Sequence, residues 1–246
     1  MNSEKNLLFL FDVDGTLTHP REPIEQSMID TLRKLKLKGD YSLAIVGGSD
    51  YKKIIEQIIY PEIFDFIFSE NGVIAHKNNT QFYAESITEF LGEEKMQELV
   101  NYCLVYIATL RIPKKRGTFI ELRNGLINIS PIGRNCSREE RDEFCAYNAE
   151  NGILNKFRLD LMHKFSQFGL TFSIGGQISI DCFPSGWDKT FCLRHVEGLF
   201  REILFFGDKT GKGENDYEIY KDKRVRGFSV QSPQETEKIL IEFLDK

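Results

Sequence analysis

The chain has 246 residues, of which 41% are hydrophobic and 28% charged, with 19 Gly and 7 Pro. Those proportions describe an ordinary folded chain and exclude disordered, collagen-like and disulfide-scaffold classes; the length suits two domains, or one with a large insertion. Lys and Arg number 32 against 37 Asp and Glu, a formal net charge of −5 that argues against non-specific binding to nucleic acid or to an anionic membrane.

No run approaches 18 consecutive apolar residues, and the first apolar run ends at Asp12 and Asp14. The N-terminus therefore reads as neither a signal peptide nor a membrane anchor. The five cysteines (Cys103, Cys136, Cys145, Cys182, Cys192) form no C-x-x-C pair, and the four histidines show no metal-ligand spacing. Reduced thiols in a cytoplasmic protein are the expectation.

Along the chain, Leu7-Leu8-Phe9-Leu10-Phe11 is a continuous apolar run, the pattern of a strand buried on both faces in a parallel sheet. Residues 24–37 carry Ile24, Met28, Ile29, Leu32 and Leu35 at helical spacing, and residues 41–46 form a second apolar strand closed by Gly47-Gly48-Ser49. Ile54, Ile55, Ile58 and Ile59 mark another helical face, followed by a short strand at 64–68. Alternating strands and helices predict a parallel sheet covered by helices.

Near residue 82 the pattern changes. Residues 85–110 read as helix, and residues 118–123 and 126–130 flank Asn124-Gly125, a two-residue hairpin signal. Ser137 with Glu140 makes a capping box that opens a helix to about residue 148, and a further helix covers roughly 152–168 before Gly169. Residues 170–174 and 177–183 flank Gly175-Gly176, which predicts a second two-residue hairpin. From Asp188 the first pattern returns: a helix over 189–200, a strand at 203–206, a helix near 214–220, a strand at 226–230 and a closing helix from 233. The expected architecture is α/β, a parallel-sheet core domain from 1–81 and 187–246 interrupted by an α+β cap domain at 82–186.

Ligands of an open parallel sheet sit beyond the carboxyl ends of its strands. Those ends carry Asp12 and Asp14, Gly48-Ser49 and Asp208, with Lys189 at the start of the helix before the last of them. An aspartate straight after a buried strand is held rigidly, and a second one two residues on, followed by Gly15, puts two carboxylates within reach of one substrate atom. Crowded carboxylates repel unless a cation joins them, and hard oxygen donors suit Mg²⁺. Capping of a helix is the competing reading of a lone aspartate; it does not account for Asp-x-Asp-Gly-Thr with matching strand ends elsewhere.

Residues 111–141 hold eight basic residues (Arg111, Lys114, Lys115, Arg116, Arg123, Arg134, Arg138, Arg141) against Glu121, Glu139 and Glu140. A solvated basic face is a serious alternative for Arg111, Lys114, Lys115 and Arg138. Strand alternation puts Ile120 and Leu122 on one face and Arg123 on the other, and likewise Ile178, Ile180 and Cys182 opposite Ser179 and Asp181. The two hairpins then form one sheet with an apolar back and a front bearing Arg123, Ser179 and Asp181. Arg134 precedes the capped helix and Arg141 lies in its first turn, where helix N-termini favour anions and arginine binds phosphate in a bidentate manner.

Phe11-Asp12-Val13-Asp14-Gly15-Thr16-Leu17-Thr18 resembles the first motif of the haloacid dehalogenase superfamily; Ser49, Lys189 and Gly207-Asp208 with Asn215-Asp216 resemble its second, third and fourth. The resemblance implies a Rossmann-like core of the haloacid dehalogenase type and Mg²⁺-dependent phosphoryl transfer. Asp12 would then be the nucleophile and Asp14 the general acid and base. Asp12, the Asp14 carbonyl and Asp208 would hold Mg²⁺, Ser49 would donate to phosphate, and Lys189 would balance charge. Pro113-Lys-Lys-Arg-Gly-Thr-Phe-Ile-Glu121, Arg123-Asn-Gly125, Ser130-Pro-Ile-Gly-Arg134, Phe172-Ser-Ile-Gly-Gly-Gln-Ile-Ser179 and Gly186-Trp-Asp-Lys189 resemble the eukaryotic-type phosphomannomutase family.

That resemblance implies interconversion of mannose 6-phosphate and mannose 1-phosphate for GDP-mannose synthesis, primed by a hexose 1,6-bisphosphate, in a homodimer joined through its caps. Carried over by position, Arg21, Arg123, Arg134, Arg141, Ser179 and Asp181 are substrate-binding, and the Tyr220 and Val225 carbonyls with the Asp222 carboxylate hold a second, structural cation. An exposed loop arginine is the competing reading of Arg21. The chain departs from the family in placing Glu214 where a glycine is usual. A sugar-phosphate or hexose-bisphosphate phosphatase on the same scaffold is the nearest rival. A non-catalytic sensor is opposed by the intact Asp12, Asp14, Lys189 and Asp208, and a nucleic-acid partner by the lack of interleaved aromatics.

Overall fold

The structure is a computed structural model that describes residues 7–39 and 41–245. The chain divides into two compact units, residues 1–84 with 186–246 and residues 85–185. In the first unit, β1 (Leu7–Phe11), α1 (Gln26–Leu37), β2 (Tyr41–Val46), α2 (Tyr51–Ile58) and β3 (Phe66–Ser69) alternate, and β4 (Ile74–Lys77) and β5 (Thr80–Ala84) follow as an antiparallel hairpin. The hairpin extends the core sheet to Ala84. Its turn is Asn78-Asn79, both at positive φ (48° and 62°), a conformation asparagine adopts more readily than other residues with a Cβ. Ile59 does not continue the apolar face of α2: it takes φ 63° at the helix end and is half exposed.

The second unit holds α3 (Ile87–Leu91), α4 (Glu93–Thr109), β6 (Ile120–Leu122), β7 (Ile127–Ile129), α5 (Arg138–Asn151), α6 (Ile153–Lys164), β8 (Leu170–Gly175) and β9 (Ser179–Pro184). Its four strands pair antiparallel in the order β6-β7-β9-β8. The single helix expected at 85–110 is two: Ser86 caps α3 through the Thr88 and Glu89 amides, and Gly92, at φ 74°, ends it. The capping box opens α5 as expected. The β8–β9 turn is not a two-residue turn, because Gly175 itself pairs with Ser179 and leaves residues 176–178 as the loop. The Ser179 hydroxyl donates to the Gly175 carbonyl at 2.7 Å and closes that register.

The chain then re-enters the first unit through a 3₁₀ segment (Lys189–His195), β10 (Glu202–Gly207), α7 (Tyr217–Lys221), β11 (Val225–Ser229) and α8 (Pro233–Leu244). The helix expected at 189–200 is instead a 3₁₀ segment that ends at His195, with Lys189, Phe191, Cys192 and Leu193 buried and Arg194 exposed. The core sheet runs β11-β10-β1-β2-β3-β4-β5, parallel except at β4 and β5. Successive residues of a strand face opposite sides, and both sides are covered. Phe9, Phe11, Leu43, Ile45, Leu204 and Phe206 pack with α1, α2 and α8, while Leu8, Leu10, Ala44, Val46, Phe68 and Phe205 pack with the 3₁₀ segment and α7. This is why the strands read as unbroken apolar runs. The strand order reverses on either side of β1, so β1 ends at the point where open α/β sheets form a crevice.

Candidate active site

Asp12 follows β1 directly. Its main-chain N–H donates to the Phe206 carbonyl at 2.9 Å, so its position is fixed by one more rung of the β1–β10 ladder. The chain then turns, with the Leu17 and Thr18 amides on the Val13 carbonyl and Gly15 at φ 82°. The Asp208 carboxylate lies against the Gly15 Cα, where any side chain would overlap it. Asp12, Asp14, Gly47, Gly48, Ser49, Ile54, Gln57, Lys209 and Asn215 line a cavity of about 170 Å³. At roughly 30 Å³ per water, that cavity is large enough for a small polar group with a few waters.

Lys189 Nζ bonds Asp12 Oδ1 at 2.5 Å and also bonds Asp216, with all three side chains buried. Asp12, Asp208 and Asp216 bring carboxylate oxygens within 4.8 Å of one another. Three carboxylates against one ammonium leave two negative charges in a dry place. Burial pushes the Asp12 carboxyl up to about 6, opposed by Lys189 and reinforced by the charge of Asp216. Burial also raises Asp208, opposed by Lys209 and reinforced by Asp12. For Lys189 burial acts downward, but Asp12 and Asp216 outweigh it and hold the ammonium above its usual range. Asp208 Oδ1 is a buried acceptor with no hydrogen-bond partner among the described residues. Hard oxygens, excess negative charge and an unsatisfied carboxylate oxygen together fit a divalent cation such as Mg²⁺.

Asp14 is held differently. Its Oδ1 accepts from Gln57 Nε2 and from the Arg21 main-chain N–H, each at 2.8 Å. Arg21 sits at φ 65° with an exposed side chain, so its described role here is through its backbone. Ser49 lies half buried in the cavity wall, one residue before Asp50, which caps α2 by accepting from Lys53 N. Asp222 is not part of this cluster. Its Oδ1 accepts from the Arg224 N–H and Nε, and its Oδ2 from Nη2 at 2.7 Å; these bonds hold its carboxyl below the usual range. Its main-chain carbonyl accepts from the Val225 N–H at 3.2 Å, which brings the end of α7 round to the start of β11.

In the second unit the sheet register lines up Glu121, Asn128, Asp181 and Ser173 across all four strands. Arg123 Nη2 and Arg134 Nε both reach Glu121 Oε2, at 2.7 and 3.0 Å. Arg134 Nη1 donates to Asn128 Oδ1 at 2.9 Å, and Asn128 Nδ2 donates to Ser179 Oγ at 2.9 Å and Asp181 Oδ1 at 2.6 Å. Gly175 has no side chain because the Asp181 carboxylate lies over it. Opposite this polar face, Ile127, Ile129, Ile180, Cys182 and Phe172 are buried. Leu122 shares their face yet is 56% exposed, because β6 is the edge strand. Arg141 lies half buried in the first turn of α5, outside the network. Part of the remaining basic excess is paired locally, Arg116 with Glu140 and Lys114 with Glu143, while Lys115 Nζ donates to the uncharged Ile107 carbonyl.

Sequence reasoning placed Asn215 and Asp216 in the fourth motif without giving them a role, and it missed Gln57, Lys209, Glu121 and Asn128. Two of these had a signal. Asn128 between Ile127 and Ile129 belongs by alternation to the polar face, and Gln57 falls on the same helix face as Asp50 and Ile54.

A sequence model described as eukaryotic phosphomannomutase matches residues 28–246. A phosphomannomutase of Dendrobium officinale is 53% identical over 243 residues, covering 98% of this chain and 95% of the relative. One of Arabidopsis thaliana is 51% identical over 232 residues, covering 94% and 93%. Among solved structures, a trehalose-6-phosphate phosphatase of Aspergillus fumigatus matches at TM-score 0.64 and 15% identity, covering 98% of this chain and 94% of that one. A haloacid dehalogenase-like hydrolase of Bacteroides thetaiotaomicron matches at TM-score 0.61 and 14% identity, covering 97% and 99%. At such identities the structures share the fold alone, an α/β core of the haloacid dehalogenase type with a cap. The near-complete matches at about half identity place the sequence more narrowly, and the chain belongs to the eukaryotic phosphomannomutase family.

Proposed function

We propose that the chain interconverts mannose 6-phosphate and mannose 1-phosphate through a phosphoryl group carried on Asp12. Within a family of isomerases, the observation that carries the reading is the pairing of two site types in one chain. One is a buried nucleophile site with Lys189 against Asp12; the other is a half-exposed network that presents Arg123 and Arg134. A substrate bearing one phosphate at each end uses both.

In the first half-reaction the sugar hydroxyl oxygen attacks the phosphorus on Asp12. The bond from phosphorus to the Asp12 oxygen breaks, leaving the carboxylate, and the hydroxyl proton passes to Asp14. In the second, Asp12 attacks the phosphorus at the other end of the resulting bisphosphate. The bond from phosphorus to the sugar oxygen breaks, Asp14 returns its proton to that oxygen, and Asp12 is again phosphorylated. Lys189 offsets the charge of the nucleophile and Ser49 donates to phosphate oxygens. Arg123, Arg134 and Arg141 hold the distal phosphate and Asp181 pairs with sugar hydroxyls, with Ser179 and the core-loop Arg21 as further substrate-binding residues.

Asp12, Asp208 and the Asp14 carbonyl would hold Mg²⁺, which when bound neutralises charge on the transferring group. The Tyr220 and Val225 carbonyls and the Asp222 carboxylate would hold a second, structural cation, in competition with the Arg224 guanidinium that engages Asp222. An aspartyl phosphate is water-labile, so a hexose 1,6-bisphosphate acts as activator. The reading also includes a homodimer joined through the second unit, a cytoplasmic location and supply of GDP-mannose synthesis. No helix among the described residues is long and apolar enough to cross a membrane.

Phosphorus NMR of the purified protein with Mg²⁺ and mannose 6-phosphate tests the proposal. A mannose 1-phosphate signal that depends on trace mannose 1,6-bisphosphate, with little free phosphate, is expected. Growth of inorganic phosphate alone overturns it in favour of a phosphatase.

A further inference from the structure

The acid–base carboxylate of this reading has an unassigned support. Gln57 stands in the last turn of α2 and lines the same cavity as Asp12 and Asp14. Its side-chain amide donates to Asp14 Oδ1 at 2.8 Å and Thr18 Oγ1 at 3.4 Å, while its main-chain carbonyl accepts from the Ile24 N–H at 2.9 Å. Gln57 therefore joins α2 to both ends of the loop that runs from the nucleophile to α1. The helix that carries it is anchored at its other end by the Asp50 cap, next to Ser49. Ile54, between the two, is buried in the core. One short rigid element thus sets the spacing between the phosphate donor at Ser49 and the residue that grips Asp14.

The bonding at Asp14 is one-sided. Oδ1 takes both donors, from Gln57 and from the Arg21 main chain, and Oδ2 takes none among the described residues. Two donors on one oxygen fix the carboxylate plane and leave Oδ2 to meet a substrate oxygen. Without the amide, one main-chain bond remains, about which the carboxylate turns. We propose that Gln57 is a positioning residue for Asp14, holding its Oδ1 so that Oδ2 is presented to the oxygen that gains or loses the phosphoryl group. The proposal rests on Asp14 being the acid–base group of the reaction above.

The test compares substrates that differ in their need for a proton. p-Nitrophenyl phosphate releases a stable phenolate, and its transfer to Asp12 needs little help from a general acid; a sugar oxygen is a poor leaving group and needs it fully. Gln57→Met keeps the length and loses the donor, and Gln57→Glu keeps the shape and also loses it. For either variant that retains the wild-type melting temperature, kcat with sugar phosphate should fall about tenfold, the loss expected for one hydrogen bond to a charged group. The sugar phosphate KM and the rate of Asp12 labelling from p-nitrophenyl phosphate should stay within about twofold. Equal losses with both substrates in both variants, or no loss in either, overturn the role assigned to Gln57. Asp14→Asn serves as the reference. If it does not itself separate the two substrates, the acid–base assignment fails, and that outcome is distinct from a Gln57 variant that does not follow a working Asp14→Asn pattern.

Discussion

In the first unit Asp12, Lys189 and Asp216 are withdrawn from water, 5%, 2% and 0% exposed, whereas in the second Arg123, Arg134 and Glu121 keep 30%, 33% and 36% of their side chains in solvent. Both sites are ion-pair networks on a sheet, and the proposed mechanism gives them different tasks. Coulomb interactions strengthen as water leaves, so the buried cluster holds its charges in one arrangement and makes every misplaced charge costly. The half-exposed network is weaker per bond, and its arginines hold further N–H donors in reach of an anion. A site that makes and breaks a bond to phosphorus needs the first kind of order. A site that must grip and release phosphate in alternating orientations is better served by the second.

The sharpest way to break this comparison is at its buried end. Asp12→Asn should reduce mutase turnover to background and abolish labelling of the protein by a bisphosphate. Because burial and Asp216 already disfavour the ionised carboxyl, the same variant should not lower the metal-free melting temperature. Persistent labelling would refute Asp12 as nucleophile. Lys189→Met should behave oppositely in stability. It leaves Asp12 and Asp216 facing each other without a cation and should cost roughly 3–5 kcal/mol in a denaturant titration without metal. Added Mg²⁺ should recover part of that loss, and a variant as stable as the parent would show that the ammonium is not what holds the cluster together.

At the half-exposed end the hub is Asn128, buried like its partner Ser179, whereas Arg134 and Asp181 are only partly covered. Asn128→Ala strips partners from Arg134, Ser179 and Asp181, for an expected loss of about 1–3 kcal/mol. The distinguishing readout is kinetic: KM for sugar phosphate should rise while Asp12 labelling by a small phosphate ester is unchanged. If labelling falls as far as sugar turnover, the two sites are not separable in the way their burial suggests.

Legibility in the sequence divides along the same line. The position of Asp12 was legible because an unbroken apolar run marks a strand buried on both faces, and a carboxylate at its end must open onto a crevice; Leu7–Phe11 with Asp12 forms as expected. What hid was the buried charge. Nothing in the local pattern says that Lys189 is enclosed, so residues 189–200 read as an ordinary helix instead of a tight 3₁₀ segment. Asp216 stands within a recognisable motif, but its bond to Lys189 spans 27 residues and is set only by the packing of β10 and α7. In the second unit the strands were readable by alternation, and the arginines stood out by charge. Their partners did not: Glu121 looked like part of an acidic minority, and Asn128 became informative only once the register set it beside Asp181.

The smallest expected effect concerns an ion pair of intermediate exposure, which sharpens the comparison from its middle. Arg224 holds the Asp222 carboxyl below its usual range, with side chains 35% and 18% exposed. A carboxyl depressed in the folded state contributes stability above its unfolded pKa, and that contribution is lost as pH falls through the folded value. Arg224→Ala should therefore lower stability by under about 1 kcal/mol near pH 7, and the gap should close below about pH 4. Melting curves from pH 3 to 7 read this directly. A gap that persists at low pH would mean that Arg224 acts through packing and not through its charge, and that even a third of exposure is enough to silence the charge.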